Sequence, residues 1–388
     1  MKILSIFGTR PEAIKMAPLV RALGHTAGIE SVVCTTGQHR SMLEQVMGMF
    51  DIQAHHDLDV MVANQSLNGL CERLFAKIDP MLDAVRPDRV LVHGDTSTAM
   101  VAAMAAFQRR IPVAHVEAGL RTGDLSQPWP EEMNRRVIDV VSDYLFAPTA
   151  GSRDNLLEEN LAGRIVVTGN TVIDALRHTA TRIERDPKLC AKLDSYLPFR
   201  PRNRKMLLVT GHRRENFGAG FAQICDALAH LSRRPDIDIV YPLHLNPNVR
   251  GPVRATLAGL PNVHLIEPLD YLSFVRLMQQ AHVILTDSGG VQEEAPSLGK
   301  PVLVMRDVTE RPEAVAAGTV RLVGTDSARI VAAVNELYDQ PDVHQQFATV
   351  RNPYGDGHAS ARIIAALTGQ PFDEFGSPQH SDATCQPA

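Results

Sequence analysis

Several common features are missing from this sequence, and each absence removes a class of function. The five cysteines in 388 residues (Cys34, Cys71, Cys190, Cys225 and Cys385) are scattered, odd in number and never spaced as Cys-x-x-Cys. That usage fits reduced thiols in a cytoplasmic protein and argues against a disulfide framework. No His-x-x-x-His, His-Glu-x-x-His or paired-cysteine spacing occurs, so no metal site is expected. There is no Gly-x-x-x-x-Gly-Lys-Ser/Thr loop and no dinucleotide fingerprint, so no cofactor is expected either. No apolar run reaches the roughly 18 residues of a membrane span. The opening run Ile3–Phe7 is interrupted by Gly8-Thr9-Arg10-Pro11, too early for a signal peptide. Acidic residues outnumber basic ones, 44 to 39. No basic field therefore points to nucleic acid, and an anionic ligand must be met by local arginines.

What is present is a regular alternation. Short apolar runs fall near Ile3–Phe7, Ser31–Thr35, Arg89–Val92, Val113–Val116 and Ile165–Val167. A second set falls near Met206–Val209, Ile237–Pro242, Val263–Ile266, Val283–Thr286, Val302–Val304 and Thr319–Leu322. Helical periodicity fills most of the gaps, which is the βαβ pattern of parallel-sheet α/β folds. The pattern occurs twice, with a break from Gly169 to Lys205 that holds a helix from Val172 and a charged run from Asp186. A chain of 388 residues is too long for one core. The expectation is two doubly wound, Rossmann-like domains facing a cleft. Residues 371–388 are rich in Pro, Ser, Asp, Gln and His and read as a disordered tail.

Ligands of such folds bind beyond the carboxyl ends of the strands. Arg10, Asp95, Glu117, His212 and Ser288 all follow a strand directly, and so share the functional edge. After Val283–Thr286 come Asp287-Ser288-Gly289-Gly290 and then a helix through Glu293 and Glu294. A small-residue turn at a helix N-terminus suits an anion, with the two glutamates better matched to sugar hydroxyls. It also suits an ordinary βα turn. Gly8-Thr9-Arg10-Pro11-Glu12 opens a helix in which Arg10 and Lys15 suit a diphosphate, or are simply solvated. Thr309-Glu310-Arg311-Pro312-Glu313 repeats that Arg-Pro-Glu logic in the second half.

Asp95, in His93-Gly94-Asp95-Thr96, reads as a helix cap or as an acid/base group. Glu117 follows a buried strand, so desolvation should raise its pKa toward the proton-transfer range. Its alternative is a salt bridge to Arg121. Glu131 and Arg135 are spaced to face the same way on a helix, as a functional pair or a plain ion pair. His212, in Gly211-His212-Arg213-Arg214-Glu215, suits a proton or a phosphate.

Taken together, these segments resemble the bacterial non-hydrolysing UDP-N-acetylglucosamine 2-epimerases, from residue 1 to about residue 367. The matching stretches are Phe7–Lys15, His93–Thr96, His115–Thr122, Pro130–Glu132, Thr210–Glu215, Asp287–Gly290 with Gln292–Ala295, and Arg311–Glu313. The resemblance implies a glycosyltransferase-B-like fold and a homodimer. It implies residues 1–168 as the first domain, joined by a last helix at about 356–368, and 169–355 as the UDP-binding domain. It implies interconversion of UDP-GlcNAc and UDP-ManNAc through loss of UDP to 2-acetamidoglucal and re-addition, feeding cell-surface polysaccharide. Asp95, Glu117, Glu131 and His212 become the acid/base set. Arg10, Lys15, Arg135, Ser288, Gly289, Gly290, Glu294 and Arg311 become substrate-binding residues, with Phe274 in the uracil pocket. Leu269 stands where relatives carry Gln near the base. Gln38, His39 and Gln65 match a second UDP-GlcNAc site that acts as an activator.

The competing readings are a retaining UDP-sugar glycosyltransferase, a hydrolysing epimerase releasing ManNAc and UDP, and a non-catalytic sugar-nucleotide sensor. Four separate acid/base candidates argue against the sensor, and a transferase needs an acceptor groove.

Overall fold

The computed structural model describes residues 1–37, 40–62, 64–197 and 204–377, without the side chains of 40–42. The chain forms two compact units, Met1–Asp174 with Gly355–Ala388, and Ala175–Tyr354. The boundaries fall at Asp174 and Tyr354, the first inside the helix Thr171–Arg185 rather than before it.

The first unit is built on β1 (Lys2–Phe7), β2 (Glu30–Thr35), β3 (His56–Asp57), β4 (Arg89–His93), β5 (Val113–Val116), β6 (Tyr144–Ala147) and β7 (Arg164–Val167). They run parallel in the order β3-β2-β1-β4-β5-β6-β7. Ile3, Leu4, Ile6, Val90, Leu91 and Val92 are fully buried. Helices cover both faces of these strands, which is why they read as unbroken apolar runs. β3 and β6 escaped the pattern. β3 is two residues long. β6 follows the helix Glu131–Val141 so closely that its apolar residues merge with the helical stripe.

The second unit holds β8 (Lys205–Thr210), β9 (Ile237–Pro242), β10 (Val263–Ile266), β11 (Val283–Thr286), β12 (Val302–Val304) and β13 (Val320–Leu322). All are parallel, in the order β10-β9-β8-β11-β12-β13. In both sheets the order reverses once, between β1 and β4 and between β8 and β11. Loops leaving those neighbouring strands diverge and leave a crevice at the carboxyl edge.

The tail departs from expectation. Its composition predicts disorder from Pro371, yet the segment to Ser377 is tied to β7, an edge strand. Phe375 N donates to Val167 O at 2.8 Å, and Glu374 Oε2 accepts from Val167 N at 3.1 Å. The Arg362 guanidinium lies 5.6 Å from the Phe375 ring centre. Satisfying the exposed backbone of an edge strand is reason enough for a polar segment to order. Residues 378–388 lie outside the described residues. The helix Ala359–Thr368 belongs to the first unit, where Ala366 O accepts from Tyr144 Oη at 3.1 Å. No helix among the described residues is long and apolar enough to cross a membrane.

Candidate active site

Each unit gathers candidate site side chains at its own carboxyl edge. In the first unit the helix Arg10–Gly24 opens with a capping box. Thr9 Oγ1 accepts from Glu12 N at 3.4 Å, and Glu12 Oε2 accepts from Thr9 N at 2.8 Å and from Gly8 N at 3.0 Å. Thr96 Oγ1 donates to Glu12 Oε1 at 2.6 Å, tying the loop after β1 to the loop after β4. Burial pushes the Glu12 pKa up despite these bonds. Gly8 is required here, because a Cβ would lie 1.9 Å from Thr36 Oγ1.

Glu117 stands one residue beyond β5 with φ of 68°. For a non-glycine residue this left-handed conformation costs energy, which the surrounding contacts must offset. Its carboxylate is 7% exposed, is bonded by Lys15 Nζ, and accepts from Asn170 Nδ2 at 3.0 Å. Arg135 Nη2 lies 3.5 Å away and His93 Nε2 3.7 Å away. Burial raises the Glu117 pKa, as expected from sequence, but the surrounding charges of Lys15, His93 and Arg135 outweigh it and hold it well below the ordinary carboxylate range. The expectation of a raised pKa is therefore wrong, because it counted burial without the cations. At neutral pH the work falls to Lys15 and Arg135, since burial drives His93 down to about 3, with Lys15 and Arg135 assisting and Glu117 opposing. Neither ring nitrogen of His93 has a hydrogen-bond partner among the described residues.

Three ordinary readings of nearby charges do not hold. Arg135 turns from Glu131 toward the Asp95 carboxylate, and its other nitrogen donates to Glu117 O. Glu131 opens the helix Glu131–Val141 with Oε2 buried and unbonded among the described residues. Arg121 pairs not with Glu117 but with Asp139 at 2.7 Å and Glu159 at 2.6 Å. Asp95 does not cap the helix Ser97–Gln108; Thr96 does, accepting from Ala99 N at 3.0 Å. Behind this layer His115 joins Asp139, at 2.6 Å, to Gly94 O, at 2.7 Å.

In the second unit the organising group is Asp287, fully buried just beyond β11. It accepts from His212 N at 2.9 Å, Arg213 N at 2.9 Å and Asn216 Nδ2 at 3.2 Å, fixing the loop that leaves β8. The His212 side chain is 41% exposed and stacks on His244 with ring centres 5.5 Å apart. Burial pushes its pKa down; Asp287 opposes, while Arg213 and His244 add to the fall.

Ser288 is the N-cap of the helix Gly289–Glu294 without a side-chain cap bond. A Cβ on Gly289 would lie 3.6 Å from Arg311 Nη2 and 3.7 Å from Arg213 Nη2. Two guanidinium groups thus stand over this glycine backbone, joining positive charge to helix N–H groups. The glutamates are occupied: Glu293 is bonded by Arg311 Nε, and Glu294 Oε1 accepts from Tyr271 Oη at 2.6 Å. Phe274 is half-buried on the helix Tyr271–Gln280, with Leu269 just ahead of it.

Arg10 is half-exposed at the start of its helix, whereas Lys15 is committed to Glu117. Gln38 and His39 lie outside the described residues; Gln65 is bonded by Arg73 and accepts from Val62 N at 3.2 Å. Sequence reasoning missed Asn170 and gave Asp287 no role beyond its place in the turn after Val283–Thr286. Asn170 lies three residues past β7, so the strand-end rule contained the signal.

With the geometry in place, comparison with known proteins is direct. Residues 21–368 match the family model for UDP-N-acetylglucosamine 2-epimerase. The UDP-N-acetylglucosamine 2-epimerase of Yersinia pestis is 56% identical over 369 residues, covering 95% of this chain and 98% of that protein. The crystal structure of UDP-GlcNAc 2-epimerase from Neisseria meningitidis bound to UDP-GlcNAc superimposes with a TM-score of 0.88 at 49% identity, covering 95% and 100% of the two chains. The enzyme of Methanocaldococcus jannaschii, in complex with UDP-GlcNAc and UDP, gives 0.79 at 33% identity, again over 95% and 100%.

Proposed function

Because this chain belongs to the UDP-N-acetylglucosamine 2-epimerase family, we propose that it interconverts UDP-GlcNAc and UDP-ManNAc without net hydrolysis. The observation that carries the reading is Glu117: a buried carboxylate, in a left-handed conformation at a strand end, held ionised by Lys15 and Arg135.

The chemistry explains why such a group is needed. The C2 proton of the sugar has no adjacent carbonyl, so direct deprotonation is too hard. If the C1–O bond to UDP breaks first, positive charge at C1 acidifies C2–H. Loss of the proton gives 2-acetamidoglucal, and UDP re-adds as a proton returns to the other face of C2. The enzyme must hold the departing diphosphate firmly and place one proton acceptor and one donor on opposite faces. Glu117, ionised at neutral pH, enters as an acceptor and stabilises positive charge at C1.

Asp95, Glu131 and His212 complete the acid/base set, and His212, with its pKa pushed down, enters neutral. Arg10, Lys15, Arg135, Ser288, Gly289, Gly290, Glu294 and Arg311 contact the diphosphate, ribose and sugar, with Phe274 at the uracil. Lys15 and Arg135 connect the two tasks, because both touch Glu117 while carrying the charge a diphosphate attracts. The protein acts in the cytoplasm as a homodimer, and Gln38, His39 and Gln65 form an activating site for a second UDP-GlcNAc.

Proton NMR of UDP-GlcNAc with the protein in deuterated water tests the reading. Deuterium at C2 together with UDP-ManNAc signals is expected. Intact sugar nucleotide without exchange, or UDP accumulating in step with free ManNAc, overturns it.

A further inference from the structure

A second charged cavity lies in the Ala175–Tyr354 unit, away from the Asp287 site. It is an open concavity of about 600 Å3, a size suited to a small metabolite. Gln279 and Lys300 of its lining sit just ahead of β11 and β12, at the amino ends of the strands. Asp287 and Gly289 follow the carboxyl end of β11, so the cavity opens at the opposite edge of the sheet.

Its charges are unevenly satisfied. Arg276 is neutralised by Asp194 through two bonds of 2.7 and 2.8 Å. Glu184 is exposed and accepts from Gln279 Nε2 at 3.1 Å rather than from a cation. Arg177 and Lys300 line the same cavity with no side-chain hydrogen bond or ion pair among the described residues. Lys300 is half-buried, and burial alone pushes its pKa down. A half-buried ammonium without a counter-charge is costly, and an anion would relieve it.

Two hydroxyls complete the lining. Thr181 lies one helical turn beyond Arg177 on the same helix. Ser297 Oγ accepts from Asn352 Nδ2 at 2.7 Å, which leaves its own proton to donate. Two cations and two hydroxyl donors, set against the one exposed carboxylate of Glu184, suit the acceptor oxygens of a phosphate dianion. The volume leaves room for an organic group.

We propose that this cavity binds a small phosphate dianion, free or as a monoester, through Arg177, Lys300, Thr181 and Ser297. The site is independent of the epimerase reaction.

Isothermal titration calorimetry on the full chain tests it, in an Arg213→Ala/Arg311→Ala background that removes the arginines beside Gly289. Glycerol 3-phosphate is expected to bind at one site per chain. Adding Arg177→Gln and Lys300→Gln should weaken binding at least tenfold. Those two substitutions alone should leave epimerisation of UDP-GlcNAc unchanged. Arg177→Gln by itself alters only an exposed side chain, so it tests the site without threatening the fold. Tighter binding of glycerol 3-phosphate than of inorganic phosphate assigns the monoester; equal binding assigns free phosphate. No saturable binding, or binding indifferent to Arg177→Gln and Lys300→Gln, overturns the proposal.

Discussion

Glu117 and Asp287 are both buried carboxylates one residue beyond a parallel strand, and they are satisfied by different means. Around Glu117 the partners are side chains: Lys15, Arg135 and Asn170, from three separate parts of the first unit, with the neutral His93 ring alongside. Around Asp287 they are two consecutive backbone N–H groups, one amide and the His212 ring, whose Nδ1 lies 3.3 Å from Oδ1, all from the loop after β8. The first arrangement holds a charge in a dry place, which is what the proposed reaction needs. In the second the carboxylate shapes a loop and holds the His212 ring beside it. Burial at the same place in the same fold can therefore set a carboxylate among cations or among loop donors, according to what the rest of the chain brings to it.

The largest effect should come from Glu117→Gln. It keeps the shape, removes the charge, and takes away a counter-charge of Lys15 and Arg135. Turnover should fall at least about 1,000-fold, and stability by up to about 3 kcal/mol. Steady-state kinetics and urea denaturation measure the two, and near-normal turnover would erase the contrast with Asp287.

Asp287→Asn should act through geometry. An amide brings two donors toward groups that are themselves donors, leaving N–H groups unmet at a cost of about 1–3 kcal/mol. Turnover should fall about 10- to 100-fold as the His212 loop loosens. If the mutant loses activity with no loss of stability, Asp287 acts on substrate and the comparison fails.

Arg311→Ala should weaken UDP binding about tenfold, the scale of one charge-assisted contact. Calorimetry with UDP reads this directly, and unchanged affinity removes Arg311 from the site.

The effect that is smallest at neutral pH shows itself only in acid. His93 has a folded pKa of about 3 against 6.5 unfolded. Between those values the unfolded chain holds the extra proton, so stability is complete above 6.5 and falls as pH drops toward 3, by up to about 1.4 kcal/mol per pH unit. His93→Asn should flatten that slope in denaturation curves taken at pH 5 to 7. An unchanged slope would mean that His93 is not kept neutral by its surroundings.

Much of this was legible before any coordinates. Parallel strands buried on both faces must be apolar throughout, so eleven of them stood out. The strand-end rule then placed Arg10, Asp95, Glu117, His212 and Ser288 on functional edges. The two-residue β3 left no periodicity to read, and β6 was masked by the helix before it. Spacing along a helix suggested Glu131 with Arg135, yet a guanidinium has the reach to choose Asp95 and Glu117 across the sheet edge.

Local pattern thus determined the parallel α/β class, most of the strands and the edge at which chemistry belongs, because these depend on burial and on backbone rules that act over a few residues. Tertiary structure decided which carboxylate is held ionised by cations, which arginine serves it and which aspartate ties down a loop and its histidine. Those properties depend on distances between residues 15, 93, 117, 135 and 170, which only the strand order brings within a few ångströms. Electrostatic energy depends on separation in space, and separation along the chain carries no measure of it.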